Sequence, residues 1–244
     1  MSDRRGVTRR TFCRQAVVAP AALSLAGCGI GSPTGDGLWP AQVVSTPAFS
    51  APRLTTSLEQ LRQGFEDRGR AVSAHLHPGL DESEVRRRCS WFPAPLPAEV
   101  VALYGWHDGQ TPDAERTADA FLFRDCAFIS LDRARDAYRT MTGAYGAAAA
   151  IIGAGLTTCF PIAEFEGAAL VVPCEAPPAG DTQLRPVVSV FEGIEVFFYS
   201  VERMVETCLD WVRHPDFDPR AGLPRPAELE IWRQHNPGIF PGAR

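Results

Sequence analysis

The apolar residues of this chain change spacing along its length, and each spacing predicts a different kind of element. A weakly apolar run covers Ala16 to Gly27, 12 residues broken by Pro20. A helix that crosses a bilayer needs roughly 20, so this run predicts a removable leader rather than a membrane span. From Gly29 to Arg53 the pattern fades into Gly, Pro, Ser and Thr, the composition of a flexible spacer. Helical spacing then sets in. Thr56 and Glu59 have the form of a capping box, with Leu58, Leu61 and Phe65 on one face. Asp81 or Ser83 is placed to cap a second helix carrying Val85, Cys89 and Phe92. Pro97 suits the first turn of a third, in which Val100, Leu103, Tyr104 and His107 fall at i, i+3, i+4 and i+7 and Gly109 takes the left-handed C-terminal position.

Beyond this point the spacing shortens. Ala120 to Phe123 and Cys126 to Ile129 read as short strands, and Ser130 caps a helix from Leu131 to Met141. The alanine-rich stretch from Gly143 to Gly155 fits helix or loop equally. Cys159 to Ala163 and Ala168 to Pro173 predict a hairpin, with Gly167 supplying a positive φ. Centred on Glu166-Gly167, that return sets Cys159 opposite Cys174 and brings a cross-strand disulfide within reach, although such geometry is often strained. Val187 to Phe191 and Ile194 to Tyr199 surround a second turn at Glu192-Gly193. Ser200 then caps a helix in which Val201, Met204, Val205, Cys208, Leu209 and Val212 form one stripe. A helical tail around Ala227 to Gln234 offers Trp232 as a packing anchor. Helices first, antiparallel strands next and a closing helix make an α+β pattern. We therefore expect a single compact domain over 54–213, an antiparallel or mixed sheet flanked by helices, with a leader over 1–27, a spacer over 28–53 and an extension over 214–244.

Composition sharpens the reading of the leader. Ahead of the apolar run stands Thr8-Arg9-Arg10-Thr11-Phe12, close to the twin-arginine pattern in which Arg9, Arg10 and Phe12 are read as an export address. The run ends in Leu25-Ala26-Gly27-Cys28, which resembles a bacterial lipobox. Small residues at 26 and 27 suit a peptidase gripping an extended chain, and the Cys28 thiol is the nucleophile that accepts the lipid. Two or more acyl chains on one residue anchor durably where one is marginal. The expected location is therefore the cell envelope, on a membrane and outside the cytoplasm, with inner and outer membrane not distinguished.

The leader holds five arginines and one aspartate, a net of +4, so its removal takes the chain from −5 to −9. An acidic chain of this kind is a poor fit to nucleic acid. Of seven cysteines, Cys13 leaves with the leader and Cys28 carries the lipid. Cys89, Cys126, Cys159, Cys174 and Cys208 then enter an oxidising compartment, where pairing and burial as free thiols are both open. None forms a CxxC pair, which argues against a zinc knuckle.

Several local words, in order, resemble the SUKH superfamily, named in part for fungal cell-wall-assembly and killer-toxin-resistance (SMI/KNR) regulators. The segment Leu96-Pro97-Ala98-Glu99-Val100-Val101-Ala102-Leu103-Tyr104-Gly105-Trp106-His107-Asp108-Gly109 resembles its signature, with Leu96, Pro97, Leu103, Tyr104, Trp106, Asp108 and Gly109 carrying the match. Phe160-Pro161-Ile162-Ala163 resembles its central strand through Pro161 and Ile162, and Val187 to Val212 its late strands and closing helix. The resemblance implies a compact α+β domain that binds proteins rather than one that catalyses, and for bacterial members an immunity protein that blocks a toxin domain. Fungal members look like scaffolds. Fold kinship alone does not give function, and export departs from the cytoplasmic setting of most such immunity proteins.

Candidate chemistry is thin. His75 and His77 form an HxH pair, but before Pro78-Gly79 the setting is turn-like, and metal ligation is not expected. His107-Asp108 has the form of a base with its orienter, although at a helix end the structural role fits better. There is no Gly-x-Ser-x-Gly elbow, His-Glu-x-x-His helix or phosphate-cradling glycine loop, and no cofactor is expected. Glu164, Glu166, Asp181, Glu192 and Glu195 fall at strand ends or in turns, where a cluster would steer a basic partner. The expectation is a membrane-tethered protein-binding module whose partner is a toxin domain. An envelope scaffold is the alternative, and a secreted hydrolase built on His107, Asp108 or His75 the less favoured third. Oligomeric state is left open.

Overall fold

The computed structural model describes residues 48–111, 121–123, 126–151, 155–165, 167–175, 185–191, 193–219 and 221–239, with only the backbone of 144–151. The architecture is α+β, with six helices and two antiparallel sheets among these residues. No described helix is long and apolar enough to cross a membrane.

Helix α1 (Ala51–Asp67) starts five residues ahead of the expected Thr56, inside the segment read as spacer. Pro52 sits in its first turn, where a missing N–H costs no hydrogen bond. Thr56 is therefore interior, its hydroxyl donating to the Pro52 carbonyl at 2.9 Å. Glu59 completes no capping box and instead accepts from Arg62 and from the Trp106 indole. Leu54, Leu58, Leu61 and Phe65 are buried as a stripe. Helix α2 (Glu82–Arg88) is capped by Asp81, which accepts from the Glu84 amide at 2.8 Å. Helix α3 (Ala98–Trp106) has Pro97 at its N-cap and ends before His107. The chain enters a strand there rather than a loop, so the helical position expected for His107 is corrected. Strand β2 (His107–Gln110) pairs antiparallel with β1 (Leu76–Pro78).

The main sheet is an antiparallel meander of β3 (Ala127–Phe128), β4 (Cys159–Phe165), β5 (Ala168–Pro173), β6 (Val187–Val190) and β7 (Ile194–Phe198), in that order. The run expected as a strand up to Phe123 makes only a single bridge, Phe123 to Cys126, and Ala120 lies outside the described residues. Ser130 caps helix α4 (Leu131–Ile151) by accepting from the Arg133 amide at 3.3 Å. The helix runs on through most of the ambiguous alanine-rich stretch.

Side-chain alternation divides the sheet into two faces. Phe160, Leu170, Val172, Val187 and Phe198 join α1, α2, α3 and α5 in the larger core. Cys159, Ala169, Val171, Val188 and Val190 form a smaller one with Leu156 and with Met141 of α4. Register pairs Cys159 with Pro173, not with Cys174. A shift of one residue in a strand reverses the face, so Cys159 lies in the smaller core and Cys174 in the larger one. The Cys159–Cys174 disulfide that the sequence left open is therefore not formed in this structure, and both thiols are free.

Helix α5 (Val201–Arg213) follows β7 directly, with the Ser200 hydroxyl accepting from the Arg203 amide at 3.1 Å. Its expected stripe is buried, joined by Thr207 and Trp211. Helix α6 (Arg225–His235) belongs to the same core rather than to an appendage. Trp232 is fully buried and stacks on Phe198 with ring centroids 4.6 Å apart. Asn236, also fully buried, accepts from the Tyr199 amide and donates to the Thr207 hydroxyl.

Candidate functional site

Three of the residues that carry the sequence resemblance, Tyr104, Asp108 and Gly109, meet with Gln110 at one seam between the α3–β2 junction and the backbone leading from β3 into α4. The Tyr104 hydroxyl donates to the Ile129 carbonyl at 3.1 Å. Asp108 accepts from the Leu131 amide at 2.9 Å and from Arg88 at 2.7 Å, the same Arg88 reaching Asp132 at 3.1 Å. Gln110 accepts from the Phe128 amide at 2.8 Å. Tyr104 from α3 and Asp108 and Gln110 from β2 thus hold backbone polar groups of Ile129, Leu131 and Phe128, and Asp108 also satisfies the first amide of α4. Gly109 has φ +73°, and a methyl there would lie 2.2 Å from the Ser130 nitrogen. Its left-handed conformation was expected at a helix end; the structure puts it in a strand, where close backbone approach requires glycine.

The remaining motif positions are structural in the same way. Leu96, Leu103 and Trp106 are in the larger core, and the Trp106 indole donates to Glu59 at 2.7 Å. Burial raises the Glu59 pKa, but the hydrogen bonds from Arg62 and Trp106 outweigh it and hold the carboxyl low. Pro161 and Ile162 sit at an irregularity of the β4–β5 register, both buried. His107 Nδ1 is 2.6 Å from the His77 carbonyl and His75 Nδ1 is 3.4 Å from the Thr111 hydroxyl. His107 and Asp108 point to different partners and do not form a dyad. Among the described residues no three of His, Cys, Asp and Glu gather as a metal site.

Two further features were not legible in the sequence. Glu99, in the first turn of α3, is only 8% exposed, and burial pushes its carboxyl above the ordinary 4.5. A cleft of about 370 Å³ opens between α4 and the smaller-core face of the sheet. Phe121, Ala137, Met141, Phe165, Ala169 and Val190 line it, and Arg133 and Glu164 close one side through an ion pair of 2.7 Å. The cleft has no local signal because its walls come from segments up to 69 residues apart in the chain, Phe121 to Val190. Of the acidic positions noted at strand ends and turns, Glu164 is thus paired with a cation and Glu195 lies on β7. Glu166, Asp181 and Glu192 lie outside the described residues, as do Arg9, Arg10, Phe12, Leu25, Ala26, Gly27 and Cys28.

None of the five described cysteines is in a disulfide. Burial pushes the thiols of Cys89, Cys159 and Cys174 up to about 12, which leaves essentially no thiolate at neutral pH and makes them poor nucleophiles or metal ligands. A scan against protein-family models and a search of curated proteins both return no match to this chain.

Proposed function

We propose that this chain is an envelope lipoprotein, anchored through Cys28, that acts by binding another protein, as SUKH-type immunity proteins bind and block a toxin domain. The observation that carries binding over catalysis is the use made of His107 and Asp108. Both are spent on structural bonds, to the His77 carbonyl, to Arg88 and to the Leu131 amide. A catalytic dyad needs the base within hydrogen-bond reach of its orienter and open to a substrate. The cleft between α4 and the sheet supports the same reading, since its charged side chains Arg133 and Glu164 are paired with each other. An envelope scaffold is the second reading, favoured by the export signal, which takes the chain away from toxins that act in the cytosol.

The anchor is tested by Cys28→Ser. The native protein should partition with membranes and carry a diacylated N-terminal cysteine by mass spectrometry, and the variant should be released. A variant that stays membrane-bound after a salt wash removes the anchor. The binding role is tested by cross-linked capture from a detergent extract. Recovery of a toxin domain supports immunity, whereas cell-wall or secretion components support the scaffold.

A further inference from the structure

We draw no further inference here: the strongest candidate, the cleft between α4 and the sheet lined by Phe121, Met141 and Phe165, carries nothing because nothing in the structure shows what covers it.

Discussion

Gly109 and the two central cysteines show how much can hang on single positions. At Gly109 a side chain meets two obstacles, a φ of +73° and backbone atoms of Ile129 and Ser130 within 2.6 Å of the added methyl. The left-handed conformation alone costs roughly 1–2 kcal/mol, and the neighbour is backbone, which has no rotamer to yield. Gly109→Ala should lose at least ~2 kcal/mol in urea denaturation; a loss below 0.5 kcal/mol would mean that the seam relaxes freely. For Cys159 and Cys174 the one-residue register offset decides the chemistry. Native iodoacetamide labelling followed by mass spectrometry should find both unmodified and unpaired, and full labelling should require denaturant. Detection of a Cys159–Cys174 disulfide in native material would show that the β4–β5 register is wrong.

Elements here owe their ends to local chemistry and their positions to long-range fit. Asp81, Ser130 and Ser200 cap α2, α4 and α5 through amides three residues on; residue type ahead of an apolar stripe pointed to Ser130 and Ser200, whereas the choice of Asp81 over Ser83 is made by the structure. The start of α1 was missed because Thr56 and Glu59 imitate a capping box while Pro52 serves the first turn. What brings α1 against α5 is Gly64, where an added methyl would fall 2.6 Å from Cγ1 of Val212. Gly64→Ala should cost about 1–3 kcal/mol by overpacking, against the usual gain of alanine in a helix. The double variant with Val212→Ala should recover part of that loss. A Gly64→Ala protein as stable as wild type, or more so, would show that α5 shifts without cost.

At the scale of the whole molecule, stability should follow pH through Glu99. Its folded pKa is raised by burial above 4.5, so the folded state keeps a proton that the unfolded state gives up first. Stability from this group is present below the unfolded value and declines as pH rises through the folded one. Glu99→Gln, neutral at every pH, should therefore gain on wild type at pH 7 and show little difference at pH 4, read as urea midpoints. A gap that widens toward acid would assign the dependence to other groups. The charge on the surface acts differently: exposed pairs such as Arg86 with Glu82 contribute little, while net acidity shapes which partners approach.

The α+β class, the helical stripes, the strand hairpins and the caps were readable along the chain because each depends on residues within a turn or two of one another. The leader and lipid attachment proposed at Cys28 rest on motifs that are equally local, and these are read without any fold. Other features exist only after folding. Asp108 takes its role from Leu131 and Arg88, and Arg133 finds Glu164 31 residues away. Trp232 turns an expected extension into part of the core. Tyr104, Asp108 and Gly109, read in sequence as part of a functional signature, serve as a seam, and Phe165 and Phe191 come to one end of the sheet only through the antiparallel order of its strands. Sequence periodicity reports which face a residue turns inward; only the packed sheet decides what it faces there.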